Sequence, residues 1–560
     1  MIVSALVKRY EDQSEVPAGW QKREVSYALE IDGQGRLLDV ILLEVDEKIG
    51  KRTVRRKKPL TLPQEIPRAG LKAYETANFL CDDGNYMLGL NPLKFESARR
   101  FHERLLDGVD SPQARAILAY FRAGPPEFPA DKLFDKKKAA IIKYVFQFDM
   151  RHVDYEVNTV RRAWDVHYSA NVGETIRCLV TGEDDVPLSV HGKLHIRGGQ
   201  PSGSSLISAN AESFTSYGKT KDDRAADVGK YAADAYVSAL ETLLKDQRRS
   251  KPIGGDTLLY WAEKGGEAEE GIFADMLAPP KSDDDAELAA VAARIARGGW
   301  AEEYRADRMF YLLCLSPNAG RISVRFFHAG IFADIIRNIQ SHHSRMEIAP
   351  DGRTPFNFIP LWLILAETTV KGSASDANPL LGGQLLGCVL KGGRYPITLY
   401  NSILSRVRAG SDISKTKAAV VKAVLIKNYD ESEVTTVALN EESNNKAYVL
   451  GRLFSVLEQL QDKANGSTNI RSRYFASANA NPGSVFPTLL SLSMHHSAKL
   501  DNDTFFEKQK GRLLDRLDGV APFPAALGID DQGRFIVGYY HQRQWFYTKK
   551  DKGGESVNEQ

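Results

Sequence analysis

The spacing of apolar positions changes in blocks along the chain. YALEIDGQGRLLDVILLEV has two extended, largely apolar segments around Asp32-Gly33-Gln34-Gly35, and the first forty-odd residues read as strands joined by a glycine turn. Residues 93–122 and 131–145 instead read as helices, with Phe101, Leu105 and Leu106 at helical spacing. From 171 to 220 the pattern breaks into short strands and loops, because HIRGGQPSGSSLISANAESFTSYGK carries too many glycines and serines for a continuous helix. Helical spacing returns over 224–248. TLLYWAE then reads as a strand, and MFYLLCLSPNAGRISVRFFHAG as two strands joined at Pro317-Asn318-Ala319-Gly320. KSDDDAELAAVAARIARGG has acids where a helix would begin, and another apolar helix is expected near 356–368.

Beyond the acidic stretch DESEVTTVALNEESN, helical spacing dominates: AYVLGRLFSVLEQLQ, PTLLSLSMHHSAKL and FFEKQKGRLLDRLDG read as a small bundle. The aromatic run at Tyr539, Tyr540, His541 and Trp545 reads as a strand against a core. The expected fold class is multidomain mixed α/β (α+β) with a carboxy-terminal α-helical bundle. Three regions are expected: 1–250, an α/β recognition region; 251–433, a central mixed region; and 434–560, the bundle.

Composition narrows the function. A chain of 560 residues with 43% hydrophobic content can bury several cores, and a net charge of +2 excludes a molecule that is basic all over. Phosphate contacts would have to come from patches. One is KIGKRTVRRKKPL, expected on a loop, where Lys51, Arg52, Arg55, Arg56, Lys57 and Lys58 are the phosphate candidates. Another is 391–430, where Lys391, Arg394, Arg406, Arg408, Lys415, Lys417, Lys422 and Lys427 face only Asp412 and Asp430, a local excess of +6. This stretch is expected to form a basic helical face, with Arg394, Arg406, Arg408 and Lys415 as its phosphate contacts. Between them lies a polar loop whose Gln200, Ser208, Asn210, Ser213 and Lys219 offer amides, hydroxyls and an ammonium suited to base edges and phosphate.

Enzyme signatures are missing. There is no phosphate loop, no dinucleotide fingerprint and no nucleophile elbow. His191 and His195 would share a face of a strand, yet HGKLH lacks the glutamate of a zinc protease helix. Cys81, Cys178, Cys314 and Cys388 are too widely spaced for a zinc knuckle and read as buried thiols. No catalytic residue, metal or cofactor is expected, and no apolar run is long enough to span a membrane, so a cytoplasmic chain is expected.

NFLCDDGNYMLG at 78–89, ISANAESFTSYGK at 207–219, GDTLLYWA at 255–262 and GYYHQRQWF at 538–546, with AYVLGRLFSVLEQLQ and the opening MIVSALVKRYE, resemble the large subunit of the type I-C CRISPR Cascade complex. The resemblance runs nearly end to end, and GYYHQRQ is its most specific part. It implies a non-catalytic subunit that recognises the target-flanking motif in duplex DNA, aids strand opening and helps recruit a helicase-nuclease. The implied partners are the CRISPR RNA ribonucleoprotein, the Cascade backbone and RNA-end-binding subunits, and a small helical subunit that the tail from about Asn444 resembles. Target double-stranded DNA completes the set. A scaffold without motif reading and a metal-dependent nuclease are the alternatives.

Overall fold

The computed structural model describes the chain except at 14–15, 50–51, 67, 69–72, 128–135, 171–173, 189, 210, 217, 219–225, 278–303, 355–357, 435, 518 and 552–560. At 45–49, 52–56, 58, 73, 136, 214 and 548–551 only the backbone is described. Two compact units result: residues 1–245 with 318–322, and residues 246–317 with 323–560.

The first unit opens with a helix, Ile2–Gln13, where strands were expected. Its apolar residues recur at helical spacing, and Leu6, Val7 and Arg9 are buried on one side. Strands β1 (Trp20–Val25), β2 (Tyr27–Ile31), β3 (Leu37–Leu42), β4 (Glu44–Ile49) and β5 (Arg52–Pro63) follow. β6 (Cys81–Asp83), β7 (Lys143–Phe148) and β8 (Arg151–His152) complete the pair of sheets, ordered β1-β5-β4 and β3-β2-β7-β6, with β8 beside β7. The helix expected over 131–145 is therefore corrected: within the described part, a single turn at Lys136–Ala139 gives way to β7. KYVFQF is rich in aromatic and β-branched residues, and it lies parallel to β2 in the sheet interior.

Alternation along β2 and β7 divides the core in two. Leu29, Ile31, Tyr144 and Phe146 join the cluster beneath the helices Pro92–Leu106, Pro112–Ala123 and Asn158–Ser169. Ala28 and Val145 point the other way, onto Leu60 and Leu62 of β5. The first two of these helices begin at Asn91-Pro92 and Ser111-Pro112, where a side-chain cap precedes a proline whose missing N–H costs nothing. A half-buried ionic cluster ties β1, β6 and β7 together. Arg23 meets Glu65, Lys143 lies 2.9 Å from Glu65, and Arg68 meets Asp82. Burial alone would push the Glu65 carboxyl up; Arg23 and Lys143 outweigh it and hold it at about 2.

In the second unit, β9 (Ser250–Ile253), β10 (Asp256–Ala262), β11 (Met309–Asn318) and β12 (Arg321–Ile331) form a four-stranded sheet in chain order. Leu258, Tyr260, Ala262, Phe310, Leu312 and Cys314 join one cluster with helix Phe332–Met346 and the helices that follow. The apolar helix expected near 356–368 is Leu361–Glu367. KSDDDAELAAVAARIARGG lies outside the described residues. The carboxy-terminal bundle is present, built from Lys415–Asn428, Lys446–Asn465, Ile470–Ala480, Pro482–Ser497, Thr504–Asp515 and Ile529–Asp551. The aromatic run at 539–545 belongs to the last of these, a helix and not a strand. Its Phe535, Ile536, Val537, Tyr539 and Tyr540 are all buried.

Two glycines set the closest approach in the bundle. A Cβ at Gly451 would fall 2.0 Å from the carbonyl oxygen of Phe535, and one at Gly538 would fall 2.2 Å from that of Tyr448. All four cysteines are buried and unbridged. Among the described residues no helix is long and apolar enough to cross a membrane.

Gly538→Ala is expected to destabilise the chain by about 1–3 kcal/mol from overpacking, despite the ~1 kcal/mol that alanine gains in helix propensity. A raised melting temperature for this variant would contradict the packing described.

The histidines set a pH dependence. Burial depresses His102, His191 and His343 to about 4 and His541 to about 3. Each is neutral in the folded chain and takes up a proton near its ordinary value when unfolded. Their contribution is therefore complete above about pH 6.5 and is lost as pH falls towards 4. Asp234, raised to about 7 by burial, acts in the opposite sense over the same range. The four histidines set the direction, so the urea midpoint is expected to be lower at pH 5 than at pH 7; an unchanged or higher midpoint would contradict this.

Candidate nucleic-acid interface

The polar segment of the first unit is built on a narrow turn. Leu194 and Ser204 exchange two backbone hydrogen bonds of 2.8 Å, closing the loop between them. The Gly199 N–H donates to Ile196 O (2.9 Å) and the Gly203 N–H to Gln200 O (3.0 Å). Gly203 has φ +81°, and a Cβ there would lie 2.9 Å from the Cβ of Lys193, so this position tolerates only glycine without rearrangement. The Gln200 side chain is fixed as well, since its Nε2 donates to Gly203 O at 2.7 Å.

The base of the loop is anchored to residues 318–322. Ser204 Oγ donates to Ala319 O at 3.0 Å, the Ser205 N–H to Gly320 O at 3.1 Å and the Ile322 N–H to Ser205 O at 3.0 Å. Arg321 Nη2 donates to Ser208 O at 3.1 Å. Leu194 and Ile196 are buried, while Lys193, His195 and Arg197 between and beyond them are exposed, as is Gln200 at the tip. Among the described residues neither Lys193 nor Arg197 has an ion-pair partner. The result is a firmly held tip that presents a row of two cations and an imidazole beside an amide.

Of the residues singled out in this loop, the structure thus places Gln200 at the exposed tip. Ser208 is half-buried with its carbonyl occupied, and Ser213 is exposed in a separate turn, Glu212–Phe214. Asn210 and Lys219 lie outside the described residues. His191 and His195 do not share a face: His191 is buried with Nδ1 2.7 Å from the Tyr236 hydroxyl, while His195 is exposed. Among the described residues no cluster of His, Cys, Asp and Glu could hold a metal ion. Sequence reasoning passed over Lys193 and Arg197, although the alternation of KLHIR carries the signal.

The other two basic stretches differ from expectation. The first lies on antiparallel strands and not on a loop: β4 and β5 pair Glu44 with Lys57, Asp46 with Arg55 and Ile49 with Arg52. Lys57 is exposed. Lys51 is outside the described residues, and at Arg52, Arg55, Arg56 and Lys58 only the backbone is described. The second, 391–427, is not one basic face. It divides between the end of helix Leu381–Lys391, helix Ile397–Arg408 and helix Lys415–Asn428.

In the last of these helices every side chain from Lys415 to Leu425 is buried. Lys417 meets Glu367, and Lys422 donates to the carbonyl of Glu347, with burial bringing its ammonium down to about 8. Lys415 is thereby removed from the phosphate candidates. Arg394 and Arg408 are exposed, with Arg408 bonded to Gln532, and Arg406 is half-buried. An alanine- and valine-rich helix sinks into the core, and its lysines reach acceptors through long apolar stems.

Gly203→Ala is expected to loosen the 198–204 turn and raise amide hydrogen exchange there with little change in global melting. Unchanged local exchange would show that the turn does not depend on this glycine.

No curated protein matches the chain. A family model described as CRISPR-associated protein (Cas_Csd1) matches residues 6–547, which spans both units. The chain therefore belongs to the Cas_Csd1 family and is a large subunit of the type I-C Cascade complex.

Proposed function

We propose that this subunit reads the target-flanking motif in duplex DNA through the 193–203 tip, aids opening of the adjoining base pairs and helps recruit the helicase-nuclease. The observation that carries the reading is the alignment of exposed Lys193, His195 and Arg197 beside an immobilised Gln200. With one N–H engaged by Gly203, the Gln200 amide retains a second donor and its Oε1 acceptor, the pair that matches adenine in the major groove. The cations suit the phosphates of the same duplex, and Arg197 also suits guanine. Fixing the tip beforehand lowers the ordering cost of binding. The partners in this reading are the CRISPR RNA ribonucleoprotein with its backbone and RNA-end-binding subunits, the small helical subunit and target DNA, in the cytoplasm. Ser208, Asn210, Ser213 and Lys219 extend the groove contacts; Lys51, Arg52, Arg55, Arg56, Lys57 and Lys58, with Arg394, Arg406 and Arg408, supply further phosphate contacts.

The test is equilibrium binding of the RNA-loaded complex, with and without this chain, to duplexes varied only beside a fixed target. Motif preference should disappear without the chain. Gln200→Ala should cost about 1–3 kcal/mol of discrimination at one motif position. Lys193→Gln should weaken all duplexes nearly equally and reduce the salt slope by about 1. Intact preference in the complex lacking this subunit would leave it a scaffold.

A further inference from the structure

The second unit holds a cluster of arginines around a single carboxylate. Asp412 lies in the short connection between helices Ile397–Arg408 and Lys415–Asn428. Its Oδ1 meets Arg471 Nη1 and lies 3.2 Å from Arg543 Nη1, while Oδ2 is 3.9 Å from Arg353 Nη1. Three guanidinium groups from separate parts of the unit thus converge on one unit of negative charge. A second anion paired with the cluster is Glu458, with Oε1 4.0 Å from Arg471 Nε, and its other oxygen accepts from the Tyr539 hydroxyl at 2.6 Å. Counting it, three cations pair with two anions among the described residues. Asp351 keeps its charge but spends its oxygens on the backbone N–H groups of Arg353 and Thr354, and among the described residues it forms no ion pair with the three arginines.

The cluster is open to solvent on one side. The side chains of Arg353, Arg471, Arg543 and Asp412 are 79%, 32%, 20% and 43% exposed. A carboxylate has two oxygens to share among these donors. A phosphate group has more, and the planar fork of arginine pairs with it two bonds at a time. We propose that Arg353, Arg471 and Arg543 form a phosphate-binding site in which Asp412 stands in for the phosphate until one arrives. The site is independent of the 193–203 tip, and its ligand is a phosphate group, supplied either by a nucleic-acid strand or by the free ion.

The test titrates the full-length chain with inorganic phosphate and with a short oligothymidylate, comparing the natural chain with Asp412→Asn and Arg353→Gln. Asp412→Asn removes the competing charge and should tighten binding about fivefold, while Arg353→Gln should weaken it severalfold. Free phosphate that binds and displaces the oligonucleotide assigns the ion as a sufficient ligand. Oligonucleotide binding that follows both substitutions without competition by phosphate assigns a strand. Weaker binding by a folded Asp412→Asn, or no response of either probe to Arg353→Gln, overturns the proposal and leaves the cluster a structural ion-pair network. Arg353 is exposed enough for its variant to fold and carry the test if Asp412→Asn does not.

Discussion

Backbone-to-backbone contact between helices Lys446–Asn465 and Ile529–Asp551 governs the second unit. Gly451 faces the carbonyl of Phe535, and Gly538 faces that of Tyr448, so each helix lends the other a position without a side chain. At this separation the flanking groups must interlock. Tyr448 Oη lies 2.9 Å from His541 Nδ1, Arg452 Nε donates to Gln542 Oε1 at 3.1 Å, and Tyr540 Oη reaches the carbonyl of Ala349 at 2.7 Å. Burial keeps His541 neutral, which suits a ring held against a hydroxyl in the core. The GYYHQRQ signature is therefore a packing device: it records how closely two helices approach. Only its arginine, Arg543, turns out of the core, towards Asp412.

The chain uses its positive charge in two ways, which a net charge of +2 conceals. Lys417, Lys422, Arg452 and Arg534 are internal, and each satisfies acceptors within its own unit. Such groups are retained at a desolvation cost and fix side-chain positions more than they stabilise. Lys193 and Arg197, by contrast, stand on the surface over buried Leu194 and Ile196. The difference does not lie in local charge density, since the 391–430 stretch is the more basic of the two by composition. It lies in what neighbours the lysines: alanines and valines draw helix Lys415–Asn428 into the core, while the glycine- and serine-containing tip 198–202 stays at the surface.

Elements with a strong single period were legible. The β2–β3 turn, the TLLYWA strand, the 309–331 hairpin and the helices beyond 446 follow from the spacing of their apolar residues. Three stretches misled because local pattern competes with tertiary position. Ile2–Gln13 is rich in β-branched residues yet amphipathic, KYVFQF follows a lysine-rich turn that reads as helical, and the aromatic run at 539–545 looks strand-like only when its burial on all sides is unknown. At the candidate interface the loop itself was legible from its glycines. The separation of His191 from His195 was not, because Tyr236, which holds His191 in the core, lies 45 residues away in sequence. The same holds for Asp412, whose arginines come from segments far from its own.

The proposed function requires the 193–203 tip to meet duplex DNA beside the target. A photo-crosslinking residue at exposed Ser202, in the RNA-loaded complex bound to target duplex, tests it most directly. Crosslinks mapping to the base pairs that flank the target, and not to the guide-paired segment, are the predicted result. Crosslinks confined to neighbouring protein subunits, with DNA fully bound, would contradict it.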